Sequence, residues 1–494
     1  MTYILAIDQG TSSSRCIIYD KQAQPIAVAQ QEFRQHYPQP GWVEHDAEEL
    51  WQSQANVVKQ AMTKHGIKPS DIAGIGITNQ RETTVIWDRQ TGKPIYNAIV
   101  WQDRRTADEC ARLKDAGKEP FIQAKTGLLL DAYFSATKIK WLLDNVEDAR
   151  IKAERGQLAF GTIDSWLIWN LTEGELHITD VSNASRTLLY NIEKLQWDED
   201  LLALFDIPAS LLPTVNTSSK VYGLTRHPDI GLDIPIAAIA GDQQAALFGQ
   251  LCHQSGMAKC TYGTGSFLMM NTGNKKVSSK HRLLTTIAWQ IGNEVTYALE
   301  GSVFMGGAVL QWLRDGLMVF KEASESEALA DSVSDNGGIY FVPALTGLGA
   351  PHWDPQARGA IFGITRGTTR AHLARAALES IAFQVDELLN VMALDCAEPI
   401  SQLRIDGGAA NNNLMVQFQA DLSNITIIRP DNLETTALGA AYLAGLAVGY
   451  WTIEELKQSW HINQQFTPNL PHEQVTSLKH YWQKAMARTK NWAE

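Results

Sequence analysis

Ile4-Leu5-Ala6-Ile7-Asp8-Gln9-Gly10-Thr11-Ser12-Ser13-Ser14-Arg15-Cys16-Ile17-Ile18 reads as a β-hairpin that begins almost at the first residue. Two Ile-rich runs, of the residue types that favour strands, flank a short polar segment. Gly10 gives the turn a backbone conformation that a side chain would obstruct. The hydroxyls of Thr11, Ser12 and Ser13, with their N–H groups, can face an anion, and Arg15 adds a fixed positive charge. Asp8, at the end of the first strand, is placed to hold a divalent cation directly or through water. Such a hairpin suits the phosphate tail of a nucleotide with its Mg2+. An ordinary surface hairpin with a polar turn fits the same residues about as well.

The remainder of the chain narrows the choice. At 494 residues it is too long for one ordinary core, so two domains of about 250 residues are expected. With 45% hydrophobic and 19% charged residues it has the make-up of a globular protein. A net charge of −12, without a block of Lys or Arg, argues against nucleic acid or an anionic membrane as partner. Any phosphate must therefore be held by local backbone and a few placed cations. The cysteines Cys16, Cys110, Cys252, Cys260 and Cys396 are odd in number and lack metal-ligand spacing, which reads as reduced thiols in a cytoplasmic protein. No basic segment precedes the first apolar run, so no signal peptide is predicted. The run Ala437 to Tyr450 is too short and too rich in small residues for a membrane span.

Taken in order, Gln24 to Arg34 predicts a further strand. Asp46 predicts the N-cap of a helix running to about Lys64, with Leu50, Trp51, Val57, Val58 and Ala61 on one side. Ile72 to Thr78 reads as a buried strand ending in the polar cluster Thr78-Asn79-Gln80-Arg81-Glu82-Thr83, where ligands of α/β sheets gather. Helices are expected near Ala107–Leu113 and Ser135–Leu143. The apolar run Ile234 to Ala240 ends in Gly241-Asp242-Gln243-Gln244, with a helix from Ala245 to Leu251. Asp242 is then either a plain helix cap or a carboxylate at the mouth of a cleft, available as a general base. The pattern restarts near His253–Gly256, where we place the boundary between residues 1–252 and 253–494. Met257 to Met270 is a second strand–turn–strand unit around Gly263-Thr264-Gly265, resembling the first. Leu403 to Asn413 reads as a strand, a glycine turn and a helix start that could admit a base and ribose against bare backbone. Two such hairpins in separate halves point to an old duplication around a cleft, with closure of that cleft as the natural motion.

Together these motifs resemble the FGGY sugar-kinase family, which shares the actin, hexokinase and Hsp70 ATPase fold. The segments that carry the resemblance are Asp8 to Arg15, Gly41 to Asp46, Thr78 to Thr84, Asn97 to Gln102, Ala240 to Gly249, Tyr262 to Gly265, Thr346 to Pro351 with Trp353-Asp354-Pro355, and Asp406-Gly407-Gly408. It covers the chain nearly end to end. The resemblance implies an α/β fold of two ribonuclease H-like (actin-type ATPase) domains around an interdomain cleft. It also implies ATP-dependent phosphorylation of glycerol to sn-glycerol 3-phosphate. By it, Arg81, Glu82, Tyr133 and Asp242 hydrogen-bond the polyol with Gln243 beside them, and Trp101 and Phe267 wall its C–H face. Thr11, Ser12, Ser13, Arg15 and Thr264 map onto phosphate contacts, Gly307, Gln311, Gly408 and Asn412 onto the nucleoside end, and Asp8 onto Mg2+. On the residues alone, Arg81 with Glu82 reads more readily as a surface ion pair, and Gly306-Gly307 as a packing pair. The alternatives are a sister kinase acting on a pentulose, a tetritol or dihydroxyacetone, and a non-catalytic nucleotide switch. Members often form dimers or tetramers, so a homo-oligomer is expected. Thr225 to Asp233, which corresponds to a glycine-rich fructose 1,6-bisphosphate loop in some members, holds one glycine and two acids, against such binding. His227 in it is expected to be solvated.

Overall fold

The computed structural model describes residues 2–397 and 400–493. The first half of the chain supplies β1 (Tyr3–Gln9), β2 (Ser13–Tyr19), β3 (Pro25–Glu32), β4 (Ile72–Asn79), β5 (Ser219–Leu224) and β6 (Pro235–Gly241). The hairpin forms as read: β1 and β2 are antiparallel from Ile4 opposite Tyr19 to Gln9 opposite Ser14. Ile4, Leu5, Ala6 and Ile7 are all buried because β1 is covered on both faces, so its sequence shows no alternation. β3 continues the meander beside β2, while β4 lies parallel to β1 and β6 parallel to β4.

The second half repeats this scheme with β7 (Ala258–Tyr262), β8 (Ser266–Gly273), β9 (Leu284–Ile291), β10 (Glu294–Val303), β11 (Gln402–Asp406), β12 (Thr426–Pro430) and β13 (Ile462–Phe466). β7, β8 and β10 are antiparallel neighbours, with β9 on the far side of β10, and β11 and β12 follow β7 in parallel. The duplication expected from the two hairpins is thus present as topology. The halves also share one sheet of 13 strands, in the order β13-β12-β11-β7-β8-β10-β9-β5-β6-β4-β1-β2-β3. At its seam, β5 meets β9 through a single pair, Ser219 opposite Ile291.

The helices that matter for the site are α1 (Ala47–Lys64), α2 (Asp242–Gly249), α3 (Ala308–Asp315), α4 (Arg370–Cys396), α5 (Asn413–Ser423) and α6 (Thr435–Ala447). Asp46 caps α1, accepting from the N–H groups of Glu48 and Glu49, and all five predicted core residues of this helix are buried. The segments near 107 and 135 are helical from Ala107 to Asp115 and from Ser135 to Asn145. One boundary differs: α2 starts at Asp242, three residues before Ala245, because the polar run after Gly241 is its first turn. Nearly every side of α6 is buried, which explains its small, unpatterned residues. Although it lies late in the sequence, α6 packs on β1, β4 and β6, and it presses on α2. A Cβ on Gly439 would lie 1.8 Å from the carbonyl oxygen of Ala245, and one on Gly249 would lie 2.1 Å from that of Thr435. Backbone therefore meets backbone where the halves join.

Cys16, Cys110, Cys252 and Cys260 are buried thiols. No helix among the described residues is long and apolar enough to cross a membrane. His227 is not simply solvated. Its ring packs edge-on against Trp51 at 5.0 Å, while Arg226 pairs with Asp233 in the same loop.

Candidate active site

Three neighbouring parallel strands end side by side, with Gln9, Asn79 and Gly241 in register. That register brings together Asp8 from β1, Arg81 and Glu82 just beyond β4, and Asp242 at the start of α2. The cluster lies at the carboxyl ends of the strands, where the sequence pattern located it.

Arg81 and Glu82 are buried and do not form a surface ion pair with each other. Arg81 Nε lies 3.0 Å from Asp242 Oδ1 as an ion pair, and Nη2 approaches the Tyr133 hydroxyl at 3.4 Å. Glu82 instead receives Arg186 Nε at 2.6 Å. Its backbone is left-handed, at φ 63°, a strained state for a non-glycine residue. The hydroxyls of Ser135 and Thr84 bond its carbonyl at 3.0 and 3.1 Å and fix that turn. Gly241 is obligatory, because a Cβ there would lie 2.7 Å from Arg81 Cδ. Asp242 is not the helix cap, which is Gly241. Its Oδ1 accepts the N–H of Gln243 at 2.7 Å, and Oδ2 has no protein partner among the described residues.

The aromatic walls come from both halves. The Trp101 ring meets Tyr133 at 5.6 Å and Phe267, on β8, at 6.3 Å, both edge-on. The Trp101 indole N–H donates to Thr11 Oγ1 at 2.9 Å, so this aromatic cluster touches the first hairpin. Because Phe267 directly follows the second turn, the two hairpins converge on Trp101.

The first turn is closed by the Gly10 N–H on the Ser13 carbonyl at 3.0 Å. Gly10 does not take a positive φ. Its want of a side chain instead relieves the approach of Ser13 O, 3.2 Å from where a Cβ would stand. Ser12 is exposed, whereas Ser13 Oγ accepts from Gln30. Arg15 is not simply a free charge, since it is held by Gln30 at 2.8 Å and paired with Glu434, the residue before α6. In the second turn, Gly263 N–H bonds Gly265 O at 2.9 Å, and the Thr264 carbonyl accepts from Gly306 and Ala308. Gly306 and Gly307 do pack on this turn, as a Cβ on Gly307 would lie 2.9 Å from Gly263 O. Gln311 is exposed on α3, and Gly408 has open space over its α-carbon. The Asn412 side-chain oxygen is taken by the N–H of Met415, capping α5.

Electrostatics separate the carboxylates. Burial raises Asp8 to about 7, with Arg15 pulling down and Asp242 and Glu434 pushing up. Burial also lifts Asp242 above the ordinary carboxylate value, against the pull of Arg81. Glu82 is raised by burial too, against Arg186 and Arg81. Glu300 is the exception: burial pushes it up, yet Arg186 and Arg81 together hold it at about 2. No group of three or more His, Cys, Asp or Glu residues able to hold a metal occurs among the described residues. That fits Mg2+, which binds through one or two carboxylates, phosphates and retained waters. Asp8, a largely enclosed carboxylate with no ion-pair partner among the described residues, is a suitable oxygen donor.

Glu300, Arg186 and Lys259 escaped the sequence reading. Lys259 is wholly buried and donates to Gln243 Oε1 and to Thr261 Oγ1, fixing which end of the Gln243 amide faces away. The one available signal was a charged residue inside an apolar strand, as at Glu300 in Ala298-Leu299-Glu300.

Residues 3–249 match the N-terminal domain, and residues 258–448 the C-terminal domain, of the FGGY family of carbohydrate kinases. The chain belongs to that family. It is 60% identical to the glycerol kinase of Paraburkholderia phytofirmans and 59% identical to that of Burkholderia multivorans, in each case over 100% of this chain and 99% of the relative. The structure of Plasmodium falciparum glycerol kinase with ADP superposes with a TM-score of 0.92 at 39% identity, covering 99% of this chain and 98% of the other. A ligand-bound xylulose kinase from Lactobacillus acidophilus shares the fold, with a TM-score of 0.87 at 22% identity over 99% of both chains.

Proposed function

We propose that this kinase transfers the γ-phosphoryl group of ATP to a terminal hydroxyl of glycerol, giving sn-glycerol 3-phosphate, with Asp242 as general base. The full-length likeness to glycerol kinases supports the substrate. The observation that carries the mechanism is the carboxylate of Asp242, tied through Oδ1 and open at Oδ2. Oδ2 takes the proton as the substrate oxygen attacks the γ-phosphorus in line, and the raised pKa of Asp242 brings it closer to a working base. Arg81, Glu82, Tyr133 and Gln243 bind the hydroxyls, and Trp101 and Phe267 hold the carbon skeleton. A site lined with buried polar groups rejects analogues that leave them unpaired.

Thr11, Ser12, Ser13, Arg15 and Thr264 hold the phosphates, and Gly307, Gln311, Gly408 and Asn412 the nucleoside. Asp8 would hold Mg2+, which would supply neutralising charge to the transferring phosphate. Positioning and electrostatics then account for most of the acceleration. Closure of the halves keeps water, the competing acceptor, from the γ-phosphate. A panel of glycerol, dihydroxyacetone, a tetritol and a pentulose, read by ADP release, tests the assignment. Glycerol is expected to give the highest kcat/KM. Preference for a five-carbon substrate overturns the assignment.

A further inference from the structure

Glu300 contributes nothing to the roles assigned above and is fully buried in the middle of β10, in the second half. A lone carboxylate in such a place is costly unless paired, and its oxygens are indeed fully engaged. Oε2 accepts Arg81 Nη1 at 2.5 Å, while Oε1 accepts Arg81 Nη2 at 3.0 Å and Arg186 Nη2 at 2.9 Å. Each arginine presents its Nε to a carboxylate of the polyol site, Arg81 to Asp242 at 3.0 Å and Arg186 to Glu82 at 2.6 Å. The result is a row of alternating charge, Glu82–Arg186–Glu300–Arg81–Asp242. Its two ends come from the first half and its centre from the second.

The geometry of guanidinium groups gives this row a purpose. Arginine prefers to grip a carboxylate with two parallel N–H bonds. Left to itself, Arg81 would grip Asp242 that way and cover both carboxylate oxygens. Glu300 occupies the paired Nη1 and Nη2 face of Arg81, with Gln244 also on Nη1 and Tyr133 on Nη2, which leaves Nε facing Asp242 Oδ1. Arg186 is held more loosely, by one bond from Nη2 to Glu300, and it gives one bond from Nε to Glu82.

We infer that Glu300 is a positioning residue of the polyol site, holding Arg81 and Arg186 so that each leaves a carboxylate oxygen free for a substrate hydroxyl. This rests on the polyol reading given above. The test uses the full chain carrying Glu300→Gln, checked for folding by circular dichroism and thermal melting. The glycerol KM is expected to rise by about tenfold or more with a fall in kcat, while the ATP KM stays within about twofold. Glu300→Asp, which keeps the charge and loses reach, is expected to fall between parent and Glu300→Gln. A purely structural residue would lower the melting temperature and the active fraction without moving the glycerol KM against the ATP KM. Should Glu300→Gln give no folded protein, Glu300→Asp carries the same comparison. Folded variants with an unmoved glycerol KM overturn the inference, provided the parent turns glycerol over. A parent that phosphorylates no glycerol overturns the polyol reading and this inference with it.

Discussion

Asp242 meets the protein through Oδ1 and leaves Oδ2 to whatever occupies the cleft. Replacing it with Asn keeps the shape and the Oδ1 contacts but removes the proton acceptor. Steady-state kinetics of Asp242→Asn are expected to show kcat lower by about 10²–10⁴-fold. Near-parental turnover would exclude it as the base. The pH profile carries a second check. Because the folded pKa of Asp242 is raised, its basic form disappears as pH falls at a higher pH than for a free Asp, whose value is 3.8. The acid limb of kcat/KM is therefore expected above 3.8, and a limb at or below that value would contradict the assignment. Asp242, Arg81 and Glu82 were legible because each follows an apolar strand directly. Arg186 and Glu300 were not, since their meaning depends on partners up to 219 residues away that only the fold brings into contact.

The contact of α2 with α6 is the element that carries the proposed base, since Asp242 is the first residue of α2. There is no side-chain cushion at this crossing: a methyl on Gly439 would lie 1.8 Å from a carbonyl oxygen, and backbone cannot yield that far. Gly439→Ala is expected to destabilise the protein by about 2–3 kcal/mol or more, read as the denaturant midpoint. An unchanged midpoint would mean that the helices separate freely. Most strands and helices could be read from runs of apolar residues and from caps such as Asp46. The exceptions have physical causes. The first turn of α2 is polar because Asp242, Gln243 and Gln244 pair with Arg81, Lys259 and Thr286, so it reads as a loop, and α6 carries no period because it is buried nearly all round.

At the scale of the molecule, the two sequence halves interlock where they join. The late helix α6 lies on β1, β4 and β6, and α2 lies against β7 and β8. The paired hairpins announced the duplication, but the continuous sheet was not legible, because a seam of one residue pair leaves no pattern in either strand. At the start of α6, Glu434 occupies Arg15, a proposed phosphate ligand. Both side chains are partly exposed, so the pair is worth little, and a triphosphate can displace it. Glu434→Gln is expected to lower the ATP KM by up to about fivefold, with the glycerol KM unchanged. An ATP KM equal to the parent's would show that the two do not compete.

The seam offers a mechanical handle. Ser219 and Ile291 face each other across it, and both lie against the side of the sheet covered by α6. Cysteines at those two places would come within reach of a covalent staple, for which α-carbons must approach to about 4.4–6.8 Å. If the lobes swing about this line as about a door post, the oxidised staple variant will turn over as fast as its reduced form. If they shear along it, oxidation will stall the enzyme until a reductant restores it. The swing is expected, since β5 and β9 are each anchored by antiparallel neighbours in their own lobe, β6 and β10.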